Sequence, residues 1–532
     1  MGAFSPAEIP AKLNIAEYFL DRPAKEHPDR AAILGEPAPI TYGELAELTN
    51  RAGNALRRVG CQPGDRVLIV LPDSAEFVAA FFGAAKIGAI AVPVNSFVGG
   101  GDFAYYLTDS GARVAVVHAD TLREFAAGAA SARVEYVFVV GEAGTGAHHS
   151  CAPPKVINWT AALQAESNEL AGCATLASDA AFFLYTSGSG GRPKAAVHEH
   201  KDMLVTSRGF AQGVLGLRAE DRTFSVSKLF FAYGLGNGMY FPFSVGAGTI
   251  LHPERPRAER VIEVIRQYRP TAFFAVPTLY AALLREADAG NRADFSSVRL
   301  AVSAGEALPV EIFERFQRVF GVEILDGIGS TEMLHMFIAN RPGGARAGTC
   351  GTEVPGYEAR IVDEAGGAME RAAIGNLLVK SGSAMRGYWN QPELTARAKF
   401  GEWMVTGDKF IRDLDGFYHY CGRADDMMKV AGMWVSPGEV ENALLGHADV
   451  AEAAVVGWSR ADGLTRPVAF VVLRDGCAGG AELEQALREH VRARLEHYKC
   501  PQEIHFRAEL PKTATGKIQR FKLRTGIIEL LE

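Results

Sequence analysis

The chain has 532 residues, 48% hydrophobic and 22% charged, with a formal net charge of −7. That length calls for two or three domains rather than one core, and the acidic balance excludes the basic footprint that nucleic acid or an anionic membrane surface requires. Seven cysteines with no C-x-x-C spacing exclude a disulfide framework or a zinc cluster and fit a reducing cytoplasm.

The opening "MGAFSPAEIP" has neither a basic stretch nor an apolar core, so no secretory signal is expected. Pro6 stands where a myristoylation signal places Ser or Thr. The spacing of "TYGELAELTNRAGNALRRVG" predicts an amphipathic helix capped by Thr41, with Glu44 three residues on, and "PGDRVLIVLP" reads as a buried strand behind a turn. "FVAAFFGAAKIGAIAVPV" is broken by Lys86 and ended by Pro93, so it predicts a buried helix feeding a strand and not a membrane span. "ARVAVVHAD" and "VEYVFVVG" are further strands. "GEAGTGAHHSCAPPK" is a surface loop whose His148–His149 pair is solvated. "ERVIEVIRQYRPTAFFAVPTLYAALL" predicts helix, strand, helix; "READAGNRADFSS" a surface loop; "VRLAVSAGEALP" a strand entering a glycine turn. This alternation predicts the α/β class, with layered α/β sheets in a large multi-subdomain N-terminal part and ligands at the C-terminal ends of strands. After "YHYCGRADDMMK" the pattern changes to a small α+β unit. The expected domains are therefore 1–424 and 425–532, with Asp425 at the boundary.

"YTSGSGGRPKAAVH", Tyr185 to His198, is the stretch richest in chemistry. Pro193 before Lys194 excludes a Walker A loop, and Pro193 also occupies the third-glycine position of a dinucleotide fingerprint. What remains is still suited to an anion: glycines let successive N–H groups turn toward one charge, hydroxyls add donors, and Lys194 supplies a mobile cation. Taken alone, the stretch is equally compatible with a mobile surface loop.

Other strings follow it in order: "GIGSTEM" (327–333), "TGDKF" (406–410), "GRADDMMKVAGMWVSPGEVE" (422–441) and "PKTATGKIQR" (511–520). Together these resemble the signatures of the adenylate-forming superfamily, which includes acyl-CoA synthetases, aryl-CoA ligases, peptide-synthetase adenylation domains and luciferases. Within it, "KLFFAYGLGNG", "SAGEALP", "EILDGIGSTEMLH" and "ELPKTATGKIQRFKLR" are most similar to benzoate-CoA and hydroxybenzoate-CoA ligases.

The resemblance implies two half-reactions, an acyl-adenylate made from MgATP and then a thioester made with coenzyme A. It implies that Thr186, Ser187, Gly188, Ser189 and Lys194 hold the β- and γ-phosphates, that Thr331 donates to the α-phosphate, and that Glu332 binds Mg²⁺. Asp408 would accept the ribose hydroxyls with Arg423 beside it. Asp326 and the Gly305–Glu306–Ala307 backbone would flank adenine, where Ile328 replaces a frequent tyrosine. Lys517 would offset charge between the α-phosphate and the attacking carboxylate. The small domain would swing about Asp425, withdrawing Lys517 and bringing Gly432 to the pantetheine tunnel. Ala232, Tyr233, Ala304, Gly329, His335 and Met336 match acyl-pocket positions. Ala232 stands where amino-acid-activating relatives carry an aspartate, which disfavours amino acids, and the small walls suit a flat ring. Gly190 lacks a donor that relatives often place there, and Ala195 replaces their glycine.

The expected protein is thus an aryl-CoA ligase using ATP, Mg²⁺ and coenzyme A on benzoate or a small substituted benzoate, cytoplasmic and, by class, a homodimer. Two alternatives stand beside it: loading of an aryl group onto a separate carrier protein, and an aromatic-acid-binding protein without turnover.

Overall fold

The computed structural model describes residues 9–35, 38–130, 133–142, 154–186, 192–430, 433–459, 465–474, 476–512 and 518–524. Two large sheets organise the first four hundred. Among the described residues, one sheet has eight strands in the order Gly387–Tyr388, Lys194–Glu199, Ala180–Thr186, Ile90–Pro93, Arg66–Val70, Val114–His118, Tyr136–Val140 and Lys155–Asn158. The other has nine, its inner run being Met336–Ala339, Ile324–Gly329, Leu300–Ser303, Ala272–Ala275 and Arg222–Ser225. The neighbours from Arg222–Ser225 to Ile324–Gly329 are parallel, and Met336–Ala339 turns back antiparallel. Parallel strands covered on both faces need continuous apolar runs, which "LAVS" and "AFFA" supply.

One apolar core spans the space between the sheets, joining Phe81, Phe82 and Phe182 on one side to Phe210, Tyr240 and Phe243 on the other. Separate cores cover the outer faces, around Phe273, Phe295 and Phe316 and around Phe103, Phe125 and Val139. A third, antiparallel sheet carries Tyr357–Val362, Gly375–Ser381, Trp403–Arg412 and Tyr418–Arg423. Beyond it lies a small unit with its own core around Val440, Leu444, Val455 and Leu487, built on the strands Val450–Ser459, Thr465–Leu473 and Glu503–Phe506 and the helices Pro437–Leu445 and Ala481–Arg492.

Most local expectations hold. The helix Tyr42–Arg58 starts at Thr41 with a reciprocal capping box to Glu44, a device worth about 1 kcal/mol. The helix Ala75–Lys86 is buried along nearly its whole length and leads to Ile90–Pro93; no helix among the described residues is long and apolar enough to cross a membrane. The predicted loop beginning at Arg285 is instead helical up to Asp288, because an apolar face of Leu279, Tyr280, Leu283 and Leu284 carries the helix Pro277–Asp288 further than its polar tail suggests. Residues 143–153 of the other predicted loop, with His148 and His149, lie outside the described residues.

Candidate active site

The glycine-rich stretch joins two antiparallel strands, with Thr186 directly opposite Lys194. Ser187, Gly188, Ser189 and Gly190 themselves lie outside the described residues. At its exit, the Pro193 carbonyl accepts the Tyr105 hydroxyl at 2.6 Å. Ala195 is buried in the strand, its carbonyl taking the Trp389 N–H at 2.8 Å and its methyl packing in the outer core with Phe183 and Val197. Lys194 points over the ring of Tyr388, Nζ to centroid 4.5 Å, and the Tyr388 hydroxyl donates to Glu332 Oε1 at 2.6 Å. Burial and the Glu332 carboxylate push the Tyr388 phenol far up, so it stays a donor. The predicted phosphate lysine and the predicted Mg²⁺ carboxylate therefore meet on opposite ends of one tyrosine. Sequence reading missed Tyr388, which is held in place as the partner of Ala196 on the short strand Gly387–Tyr388.

Thr331 and Glu332 follow the end of the strand Ile324–Gly329. Ser330 caps the single 3₁₀ turn Thr331–Met333, its hydroxyl accepting the Met333 N–H. Two more contacts fix this peptide: the Met385 N–H donates to the Glu332 carbonyl at 2.8 Å, and His198 Nε2 lies 2.8 Å from the Thr331 carbonyl. Among the described residues no three-ligand metal cluster occurs. A single carboxylate is nonetheless enough for Mg²⁺, which usually takes one or two plus substrate phosphates and water, so the Glu332 position fits the ion.

Asp326 sits near the end of the same strand, opposite Ser303. Burial pushes its carboxyl up to about 8, against the Ser303 hydroxyl and the Leu308 and Gly327 N–H groups, and Oδ1 meets no donor at hydrogen-bonding geometry. Just past Ser303 the chain turns at Gly305, φ +98°, with Glu306 half-buried and Ala307 exposed beyond it. Ile328 is paired opposite Ile338. Asp408 lies inside the strand Trp403–Arg412, not in a turn, and faces Arg423 across the ladder. Arg423 Nη1 is 3.3 Å from Asp408 Oδ1 and donates to the Thr406 carbonyl at 2.9 Å. Gly407 makes this possible: it has φ +74°, and a Cβ there would stand 2.8 Å from Arg423 Nη2.

The six predicted pocket residues form a connected group. Ala232 opens the helix Ala232–Leu235, and the hydroxyl of its neighbour Tyr233 donates to the Val302 carbonyl at 3.1 Å, two residues before buried Ala304. Tyr233 stacks on His335, centroids 5.5 Å apart, and Phe210 and Phe241 close the same ring at 5.2 and 4.5 Å. Gly236 leaves room for it, since a Cβ there would lie 2.7 Å from His335 Cδ2. Burial pushes His335 down to about 3, with the Tyr233 backbone opposing, and neither ring nitrogen has a partner at hydrogen-bonding geometry. Met336 is paired with Gly329, whose missing side chain lets the two strands close: a Cβ would stand 2.6 Å from the His335 carbonyl oxygen.

Gly432 and Lys517 lie outside the described residues; their surroundings do not. Met428–Val430 and Met433–Val435 pair with Val430 opposite Met433. Lys512 bridges to Ile518, and the Gln519 N–H donates to the Pro511 carbonyl at 2.8 Å. Arg520 then grips Glu441 with three bonds of 3.2, 2.9 and 2.8 Å, and Arg524 pairs with Asp426. Asp425 is exposed, just after Ala424 donates to the Gly407 carbonyl at 2.9 Å.

A fold of layered α/β sheets with a small α+β unit, a hairpin-borne lysine beside Gly-x-Thr-Glu and a carboxylate–arginine pair on the next sheet define an adenylate-forming enzyme. The comparisons agree: residues 20–389 match the AMP-binding enzyme family and 439–517 its C-terminal domain, so the chain belongs to that family. It is 44% identical to a benzoate–CoA ligase of Thauera aromatica over 98% of this chain and 97% of that one. It is 39% identical to a 4-hydroxybenzoate–CoA/benzoate–CoA ligase of Rhodopseudomonas palustris over 96% and 94%. Among solved structures, an anthranilate CoA ligase in complex with anthranoyl-AMP superposes with a TM-score of 0.93 at 38% identity, covering 99% of this chain and all of the other. A benzoate CoA ligase from Burkholderia xenovorans LB400 gives 0.87 at 41% identity over 96% and 99%.

Proposed function

We propose that the chain is an ATP-dependent, AMP-forming aryl-CoA ligase acting on benzoate or a small substituted benzoate. The observation that carries this is likeness to aryl-CoA ligases along the whole chain rather than in one domain. The pocket supports it, because its ionisable member is a neutral histidine and its walls are Ala232, Ala304 and Gly329. A flat, uncharged ring needs no buried counter-ion, whereas an amino acid would leave its ammonium unpaired.

A carboxylate oxygen attacks the α-phosphorus, pyrophosphate leaves, and the sulfur of coenzyme A then displaces AMP with loss of the thiol proton. No covalent enzyme intermediate is required, so the protein contributes position and charge. Thr186, Ser187, Gly188, Ser189 and Lys194 hold the outer phosphates, and Thr331 the α-phosphate. Asp408 takes the ribose hydroxyls, with Arg423 steadying its carboxylate. Asp326, largely neutral, and the 305–307 backbone flank adenine. Mg²⁺ held by Glu332 would supply charge neutralisation at the phosphates. Lys517 serves adenylate formation and Gly432 thioester formation, the unit 425–532 turning about Asp425 between them. A cytoplasmic, homodimeric enzyme is the accompanying reading.

The test is carboxylate-dependent pyrophosphate release, with and without coenzyme A, across benzoate, hydroxy-, amino- and fluorobenzoates, cyclohexanecarboxylate and a medium-chain fatty acid. Turnover with a benzoate and coenzyme A is expected. Adenylate that coenzyme A fails to discharge would replace this reading with a carrier-protein acceptor, and silence across the panel would reject both.

A further inference from the structure

His198 and Asp202 are fully buried; His198 closes the glycine-rich stretch without a role assigned to it, and Asp202 lies beyond it. The strand Lys194–Glu199 alternates its side chains, so Lys194, Ala196 and His198 share one face. On that face Lys194 meets the ring of Tyr388, and His198 meets the Thr331 carbonyl at 2.8 Å. A carbonyl only accepts, so Nε2 carries a proton. On the other side of the ring Nδ1 is 2.9 Å from Asp202 Oδ2, which also accepts the Glu199 N–H at 3.0 Å. A second proton is therefore held between Nδ1 and Oδ2, on one atom or the other. With both nitrogens engaged and Phe182 stacked at 5.2 Å, the ring cannot turn without breaking two bonds in a dry interior.

The Thr331–Glu332 peptide is thereby held at three points. His198 holds the Thr331 carbonyl, the Met385 N–H holds the Glu332 carbonyl, and the Tyr388 hydroxyl holds the Glu332 carboxylate. Just beyond it Leu334 takes φ +67°, a conformation a leucine adopts only when its surroundings impose it. One of these three restraints, His198, sits on the strand that begins with Lys194, and a second, Tyr388, on the short strand paired with it opposite Ala196.

We infer that His198 and Asp202 are a positioning pair for adenylate formation, fixing the Thr331 carbonyl so that the Thr331 hydroxyl and the Glu332 carboxylate keep their register with Lys194. This rests on the reading of Thr331 and Glu332 as the α-phosphate and Mg²⁺ residues. Neither member of the pair touches a reacting atom; they act through the peptide they hold. A purely structural pair, tying the helix His200–Thr206 to the sheet, would weaken both half-reactions together.

The experiment compares His198→Leu, His198→Gln and Asp202→Asn with the parent enzyme. It measures benzoate-dependent pyrophosphate release against MgATP concentration, thioester formation from supplied benzoyl-adenylate, and the thermal midpoint. His198→Leu should lower kcat/KM for MgATP about tenfold, the loss expected for one buried hydrogen bond made by a polar ring, and leave thioester formation within about twofold. His198→Gln, whose amide can donate to the same carbonyl, should recover most of the loss, and Asp202→Asn should fall between. In a Thr331→Ala background His198→Leu should cost little more, since both act on one peptide. Equal loss of both half-reactions, failure of glutamine to rescue, or unchanged adenylation would each overturn the inference. A parent enzyme that forms no adenylate would overturn the proposed function first, and this inference with it.

Discussion

Asp326 and Asp408 are both buried carboxylates on strands of two different sheets, yet their surroundings treat charge in opposite ways. Around Asp326 the neighbours are Ser303, backbone N–H groups and the aromatic side chains Tyr233 and Tyr280, with no cation among the described residues, and burial pushes its carboxyl up to about 8. His335, in the adjoining pocket, is pushed down to about 3 by the same cause. Asp408 instead faces Arg423, whose guanidinium it keeps charged although burial works the other way. Burial thus disfavours charge on Asp326 and His335, while Lys194 and Glu332 meet through Tyr388 and Asp408 faces Arg423. Under the roles proposed above, the neutral group would take the ring without discriminating by charge, and the charged group would hold the anions of the reaction.

Substitutions of the charged residues proposed to act on the phosphates and ribose should therefore cost most. Lys517→Ala should slow adenylate formation about 10²- to 10³-fold, the scale for removing one preorganised charge donor. Thioester formation from supplied adenylate should be spared, and equal loss of both steps would break the proposed alternation about Asp425. Asp408→Asn should lower kcat/KM for ATP about 10- to 100-fold, as expected for a hydrogen bond to a charged group, read from pyrophosphate release at varied ATP. In the neutral group, Gly236→Ala places a methyl against His335 and should cost about 1–3 kcal/mol of stability. Its kinetic mark should be a raised KM for benzoate with that for ATP little changed.

The smallest kinetic effect belongs to Asp326→Asn, within about threefold near pH 7 because the acid is already largely protonated. Its mark is in stability. Between the unfolded value, about 3.9, and the folded value the native state holds a proton that the unfolded chain has released. Stability therefore falls as pH rises from about 4 to about 8 and is level above. His335 acts oppositely: below its unfolded value, about 6.5, the unfolded chain binds a proton that the native state refuses until about pH 3, so stability falls as pH drops through that window. The two slopes offset each other between about 4 and 6.5. Melting temperatures of the parent should thus decline mainly from about 6.5 to 8, and Asp326→Asn should remove that decline. An unchanged decline would mean that Asp326 is ionised and the contrast between the two groups is false.

Much of this was legible in the sequence because single residues carry single constraints. The Thr41 cap, the glycine turn at Gly305 and the strand "RVLIV" each announce themselves within a few positions. Asp408 was readable as a motif residue but not as an interior strand position, since "TGD" looks like a turn until Tyr418–Arg423 pairs with it. Tyr388 and His198 could not be found from sequence. Their partners Glu332 and Thr331 lie 56 and 133 positions away, and neither a lone tyrosine nor a histidine four residues after a lysine has a pattern to distinguish it. Packing also bears on what the pocket histidine is: the sequence favours a packed or carboxylate-orienting His335 over one bonded to a ring substituent, and its aromatic enclosure is what makes it neutral.

Gly407 bears on how such an enzyme can change. A side chain there meets two separate obstacles, the left-handed backbone at φ +74°, costing an L-residue about 1–2 kcal/mol, and the Arg423 guanidinium across the space a Cβ needs. A library randomised at codon 407 and selected for growth on an aromatic acid should return glycine alone. Position 326 should tolerate exchange more readily, since the native acid there is already close to its own amide.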